Sequence, residues 1–508
     1  MNKRKSILNI TIGIGSQILS IALGIVIPRL FLKSFGSEMN GFLNSITQIF
    51  AYFSLLEAGV GAATLQALYG PLAKNDRSEI SEIMAATDHY YKKTGRLYFI
   101  AVLIVTIGYP LIVSSDIPVH TMVLIILFNG IPGVISYYFQ GKFIILLQAE
   151  GKNYINTALT SIASTIISIT KIIMLVIGCD IIAIQLCYLI INILKILIIG
   201  IYINRNYDWV NLKSRPNYAA IGQKNAAFVN QICDLIFRNT DTIILTLFCD
   251  LKVVSVYAMY TMLYSMIRTA LDYVAQGFSF VMGQTFNKDL KEYVKLHDLY
   301  ETYRMALIFA LYNIALIFIL PFMKLYTSGI SDVNYLDYKV AILFTIFYLM
   351  TGARACCADL INYAQHFKKT QNRCITEAII NISVSIVSVN LWGIYGVLIG
   401  TIVALLYRMN DMFIYANRQI LKRSPWPSYK RLLTNSVVFM VVTSVVKRIP
   451  WKLTSYYSII GWACIASVII CIIYFGVASV VDHKSFAMLK KYFYSIRKRG
   501  IQSNEKER

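Results

Sequence analysis

Apolar residues run in stretches of about 20 along almost the whole chain, each long enough to cross the hydrocarbon core of a bilayer as a helix. The stretches predict spans at 7–32, 42–70, 97–115, 121–147, 155–177, 180–203, 226–249, 253–283, 304–326, 337–364, 374–390, 393–416, 432–447 and 454–480. Backbone polar groups have no partner in lipid except each other, so spans of this kind are helices. The expected fold class is all-α, a polytopic membrane protein of about 14 transmembrane helices. The first stretch follows Lys3-Arg4-Lys5, but it is too long for a signal peptide and lacks a small-residue cleavage pattern. It reads as a retained helix.

The polar breaks between stretches repeat. Ile201-Tyr202-Ile203-Asn204-Arg205 closes one apolar region, and Ile414-Tyr415-Ala416-Asn417-Arg418 closes another, about 213 positions later. Lys74-Asn75-Asp76 corresponds in the same way to Asn287-Lys288-Asp289, the break 36–40 to 250–254, and Gly151-Lys152 to Lys368-Lys369. The pattern predicts two homologous lobes, 1–215 with helices 1–6 and 216–425 with helices 7–12. Two extra helices at 426–481 and a basic tail at 482–508 follow. Six helices per lobe is an even number, so both lobes enter the membrane in the same direction. Their pseudo-twofold axis should then run along the membrane normal, with a cavity between them.

Composition narrows the class. The chain is 57% hydrophobic and 15% charged, which excludes an ordinary soluble protein. Its net charge of +22 suggests nucleic acid only until the charges are located. With the N-terminus inside, about 35 of the 48 Lys and Arg fall in segments on the cytoplasmic side, as topology signals do. These include 71–96, 204–225, 284–304 and 408–431. Both termini are expected on the cytoplasmic side of the membrane. The tail from Lys484 could also grip anionic membrane lipids. There is no aromatic-basic module to bind nucleic acid. The nine cysteines form no Cys-x-x-Cys pair and have no histidine at metal-ligand spacing, so they read as small core hydrophobes. The sequence has no Walker pattern, phosphate-binding glycine loop or nucleophile elbow. The expectation is a protein that is not an enzyme and carries no metal or cofactor.

Three stretches resemble a known family. They are Asn239-Thr240-Asp241-Thr242-Ile243-Ile244-Leu245 leading into Val254-Ser255-Val256-Tyr257-Ala258-Met259-Tyr260, the segment Leu147 to Tyr154, and Glu377-Ala378-Ile379-Ile380-Asn381 followed by Trp392 to Thr401. Together they resemble the Wzx-type polysaccharide flippases of the multidrug/oligosaccharidyl-lipid/polysaccharide exporter superfamily, over about residues 1–425. The resemblance implies movement of undecaprenyl-diphosphate-linked oligosaccharide repeat units from the cytoplasmic to the outer leaflet, for O-antigen, capsule or exopolysaccharide assembly. It also implies partnership with the pathway's polymerase and chain-length proteins, and action as a monomer. Alternatives are a lipid II flippase or multidrug exporter of the same superfamily, or a membrane-embedded polymerase or glycosyltransferase. Fourteen helices also occur among lipid II flippases. Those proteins carry basic residues facing the cavity on the first helix, whereas Thr11 to Ser20 here contain no Arg.

Ionisable residues inside spans are costly and mark cavities or partners. Helix seven carries Asn230, Asp234, Arg238 and Asp241 on one face; helix eight carries Tyr257, Tyr260, Tyr264, Arg268, Asp272 and Gln276. Helix five offers Thr160, Ser164, Ser168 and Lys171, and helix eleven Glu377, Asn381, Ser385 and Ser388. Stripes of this kind either line a cavity or pack helices together. A diphosphate needs cations, and Arg grips it in bidentate fashion. The expected head-group contacts are Arg238, Arg268, Arg354, Lys195 and Lys171. Sugars need flat faces and hydrogen-bonding edges, which Tyr257, Tyr260, Tyr264, Asn230, Gln276 and Asn381 would supply. Arg354 and Asp359, five apart, do not share a face, so each should find a partner on another helix. Glu57, beside Gly59 and Gly61, is the first candidate for H⁺ or Na⁺ coupling, followed by Asp241 and Glu377. Residues 78–95 read as a separate surface helix, and the 209–224 link as a cytoplasmic connection along the interface.

Overall fold

The computed structural model describes residues 3–57, 59–221, 225–449 and 453–491; side chains before 23, at 225–231 and at 234 lie outside the description. The described residues form sixteen α-helices and no strand, as the apolar stretches require. The first fourteen elements in chain order are α1 (Lys3–Phe53), α2 (Val60–Lys74), α3 (Arg77–Ile112), α4 (Val119–Phe139), α5 (Gly141–Ala149), α6 (Asn153–Ile177), α7 (Ile181–Asn206), α8 (Asn225–Phe248), α9 (Leu251–Lys288), α10 (Leu290–Tyr326), α11 (Tyr338–Ala353), α12 (Ala355–Tyr363), α13 (Phe367–Trp392) and α14 (Ile394–Tyr415). A short π-helical turn, Ala416–Ile420, extends α14, and α15 (Trp426–Val446) and α16 (Tyr456–Val481) complete the set. Every expected span coincides with one helix or with a pair broken at a turn. Nine helices among the described residues are long and apolar enough to cross a membrane, or ten if the bent segment 23–74 counts as one span.

Several local features occur in similar form in the two halves of the chain. Asp76 caps α3 by accepting from the Ser78 and Glu79 amides, and Asp289 caps α10 through Lys291 and Glu292. Gln140 alone separates α4 from the nine-residue α5, as Arg354 alone separates α11 from the nine-residue α12. Gly178 ends α6 at φ 82°, and Gly393 ends α13 at φ 54°, a region where glycine avoids a Cβ clash. The first break, inside α1, is at Gly36 with φ 76°. Buried acids match too: Asp88 on α3 pairs with Lys142 and Lys92, and Glu301 on α10 pairs with Arg431.

The helices divide into two compact units: residues 1–258 with 329–333, and 259–328 with 334–508. The division falls inside α9, so α8 and the first turns of α9 group with the first unit. That unit has two apolar clusters. One joins α2, α3, α5 and α7 through Leu68, Ile83, Met84, Leu146, Ile199 and Ile203, and the other gathers Phe42, Ile46, Tyr109, Ile125, Ile126 and Leu251. In the second unit the core is aromatic: Tyr264 stacks within 6.0 Å of Phe344, Tyr348 and Tyr312, and Tyr260 stacks on Phe344. Large apolar residues remain outside, among them Leu111 at 81% and Val176 at 72% exposed. Lipid is the solvent that suits such a surface.

Two expectations about connections are corrected. Residues 78–95 are not a separate surface helix; they are continuous with the apolar segment in α3, and Tyr91 within them is buried. Arg408 does not open a cytoplasmic loop but lies inside α14, 2% exposed. The 209–221 part of the link packs on α3, where the Asn217 amide donates to the Glu82 carbonyl and Arg77 lies over the Trp209 ring.

Candidate functional site

Two of the polar clusters are candidates for a site, one in each unit. In the first, the continuation of α1 ends in a 3-10 turn, Ser54–Leu56, before Gly59 (φ 86°) starts α2. This interruption frees backbone groups, and Thr94 donates to the Leu56 carbonyl at 3.2 Å. Glu57 sits in the break. The Tyr91 hydroxyl donates to its Oε1. Around it is a cavity of about 600 Å³ whose walls include Ser54, Tyr91, Tyr98, Tyr137 and Gln148. Glycines make the ring arrangement possible: a Cβ at Gly141 would lie 2.3 Å from the Tyr91 ring, and one at Gly133 would lie 2.6 Å from the Tyr98 hydroxyl. An acid among tyrosine faces can accept hydrogen bonds from a polyhydroxylated ligand, or hold a proton or cation.

The second cluster is richer in charge. Glu377, 7% exposed, receives the Arg354 guanidinium on one oxygen and lies 3.3 Å from Arg408 Nε on the other. That second contact is close enough for ion pairing without being aligned as a hydrogen bond. Arg408 also donates to Asp411 at 2.7 Å and to the Cys374 sulfur at 3.1 Å, while Arg373 pairs with Asp411. Three guanidinium groups therefore meet two carboxylates. Arg354 comes from the break between α11 and α12, Glu377 from α13 and Arg408 from α14. Asp359 meets Arg304 on α10 at 2.6 Å. Arg354 and Asp359 thus find their partners on different helices, as their spacing suggested.

The remaining sequence-selected residues are dispersed. The stripe on α13 is the contact face toward α14. Asn381 donates to Thr401 Oγ1 at 2.9 Å, Ser385 to the Val397 carbonyl at 3.3 Å, and a Cβ at Gly396 would lie 2.1 Å from the Ser388 carbonyl. These are the close approaches that small residues allow between helices. Asn381 is fully buried there. The tyrosine ladder is likewise committed to protein. Tyr257 donates to Asp241 at 2.9 Å, Tyr260 to the Tyr335 carbonyl at 2.9 Å, and Tyr264 bonds Thr345 at 2.7 Å. Tyr260 and Tyr264 are fully buried, so their ring faces are taken by neighbouring aromatic residues. Arg268 lies 3.7 Å from Asp272 within α9. Arg238 and Gln276 are exposed, Lys195 is partly buried, and Lys171 lies over the Phe31 ring at 4.9 Å. The side chains of Asn230 and Asp234 lie outside the described residues.

Tyr91, Tyr98, Tyr137 and Arg408 were not singled out from sequence. A usable signal existed for Arg408: it follows Glu377 by one helical hairpin, and a buried acid calls for a base at matching depth. Among the described residues, no group of three or more His, Cys, Asp and Glu side chains could hold a metal ion.

The fold has solved counterparts. The lipid II flippase MurJ in an inward closed conformation superposes with a TM-score of 0.66 at 14% identity, covering 93% of this chain and 99% of that one. An inward-facing multidrug resistance MATE family transporter of the MOP superfamily gives 0.65 at 14% identity, covering 79% of this chain and 95% of that one. A Vibrio cholerae MATE transporter, VcmN, gives 0.53 at 13% identity, covering 84% and 100%. No family model matches the sequence, and no curated protein matches it. The chain therefore has the fold of these proteins.

Proposed function

We propose that the protein translocates undecaprenyl-diphosphate-linked oligosaccharide repeat units across the inner membrane by alternating access, for assembly of a surface polysaccharide. The observation that carries the reading is coverage. The lipid II flippase fold accounts for 93% of the chain, against 79% for the first MATE neighbour. The sequence motifs resemble those of the repeat-unit flippases, and the arginine-free stretch Thr11 to Ser20 sets the chain apart from lipid II flippases. Two homologous lobes, 1–215 and 216–425, are the proposed moving parts, with 426–481 an addition. Arg354, held between two short helix ends and already paired to a carboxylate, is the cation placed to exchange Glu377 for a phosphate oxygen. The Glu57 cavity supplies aromatic faces of the kind sugars stack on, and Glu57 is the proposed coupling carboxylate.

Purified protein in liposomes, given fluorescently labelled lipid-linked oligosaccharide and an imposed H⁺ or Na⁺ gradient, tests this directly. The expected result is gradient-driven movement without ATP, with Glu57→Gln losing the gradient response while still binding substrate. Movement of labelled lipid II in preference to the oligosaccharide would replace the reading with the lipid II alternative. Full gradient sensitivity in Glu57→Gln would remove Glu57 from coupling.

Orientation has its own test. Reporter fusions after residue 215 and after residue 491 should both read cytoplasmic, because Lys and Arg concentrate in the segments around them. An active periplasmic reporter at 215 would mean an odd number of crossings before it, which the parallel-lobe scheme cannot accommodate.

A further inference from the structure

The second unit holds another cavity, of about 630 Å³, formed where α10 begins, α15 begins and α16 ends. Its floor is a charge clamp. Arg431 on α15 donates to Asp298 on α10 and to Asp482 just past α16, each at 2.8 Å, and also bonds Glu301, which is fully buried. Burial works against the Asp482 charge, yet the hydrogen bond from Arg431 outweighs it and holds that carboxyl below its ordinary range. Asp482 is therefore ionised at neutral pH, and both carboxylates of the cavity, Asp298 and Asp482, are spent on Arg431.

What remains on the rim is basic. Lys295 comes from α10, Lys430 from α15, and Lys484 and Lys491 from a helical segment, 483–491, that follows α16. All four are exposed, and among the described residues none pairs with a carboxylate; the Lys430 ammonium donates to the Val481 carbonyl at 3.2 Å. Beside them the wall is apolar, with Met488 and Trp426, the latter 61% exposed. An exposed Trp next to lysines is the signature of head-group depth. Directly adjoining is α16, whose mean hydropathy of 2.6 marks a lipid-spanning helix and whose outer residues Ile472 and Val480 are exposed. Cations thus collect at the level where an apolar surface ends.

We infer that this cavity binds the phosphate head group of an anionic glycerophospholipid, with the acyl chains lying along α16. The lysines meet the phosphate, and Trp426 and Met488 cover the glycerol region. Free phosphate would use the lysines and leave the apolar wall unmatched. Because three separate segments each contribute a cation, one bound lipid ties the C-terminal helices to α10. Four lysines around one head group favour an anionic lipid over a zwitterionic one.

Native mass spectrometry of the purified full-length protein, titrated with phosphatidylglycerol or phosphatidylcholine, tests this without any transport assay. Wild type should retain phosphatidylglycerol at least about tenfold better than phosphatidylcholine, and its melting temperature should rise only with the anionic lipid. The combined variant Lys295→Gln, Lys430→Gln, Lys484→Gln and Lys491→Gln should lose that preference. A control with Lys74→Gln, Lys93→Gln, Lys213→Gln and Arg215→Gln should keep it. If the fourfold variant does not fold, the pairs Lys295→Gln with Lys484→Gln and Lys430→Gln with Lys491→Gln should each lose part of it. Unchanged preference in the folded variants, equal loss in the control, or displacement of the lipid by millimolar inorganic phosphate would each overturn the assignment.

Discussion

Replacing Arg431 with methionine is expected to destabilise the protein by about 3–5 kcal/mol, among the largest effects of any single change in the chain. The side chain is 7% exposed and serves Asp298, Glu301 and Asp482 at once. Glu301 is fully buried, and one of its oxygens already lacks a hydrogen-bond partner. Removing the guanidinium leaves that carboxylate buried beside two others. The cost is that of an uncompensated charge, rather than of a lost surface bridge. Thermal unfolding in detergent micelles gives the measurement. Arg431→Met with Glu301→Leu should recover much of the loss, because both buried charges are then gone. Failure of the double variant to improve on Arg431→Met would show that Asp298 and Asp482, not Glu301, dominate the clamp.

The helices themselves were legible in the sequence because span length and apolarity are properties of single segments. So were the helix starts at Asp76 and Asp289, whose caps are polar punctuation that the sequence carries openly. Facing was not legible. Tyr257, Tyr260 and Tyr264 fall at three- and four-residue spacing whether that face meets a cavity or another helix. For Tyr260 and Tyr264 only the presence of Phe344, Tyr348 and Tyr312 opposite decides the matter, and for Tyr257 the Asp241 carboxylate. The same holds for Asn381, Ser385 and Ser388, whose partners Thr401, Val397 and Gly396 lie across a hairpin. Helix ends were misjudged for a related reason. The charges at Arg408 and around Tyr91 read as cytoplasmic, but Glu377 and Asp411 match Arg408 inside the second unit, and Asp88, on the same helix as Tyr91, holds Lys142 in the interior of the first. A charge with a buried partner does not end a helix.

Arg354→Ala is expected to reduce transport of labelled lipid-linked oligosaccharide by roughly 10- to 100-fold while the protein accumulates normally. The estimate is the worth of one charge-assisted hydrogen-bonding partner, about 1.5–3 kcal/mol, removed from the transported state. The protein should tolerate the loss, since Glu377 keeps Arg408 beside it, and Arg408 keeps Asp411. Arg354→Lys retains the charge but not the fork and should fall between wild type and alanine. Glu377→Ala is different in kind. It leaves Arg408, 2% exposed, with one carboxylate instead of two, so it should lower stability as well as transport. The double variant Arg354→Ala with Glu377→Gln separates the roles. If Arg354 serves only to neutralise Glu377, removing both charges restores transport. If Arg354 meets the diphosphate, transport stays low although the cluster again has its wild-type net charge, and that persistent loss is the expected result.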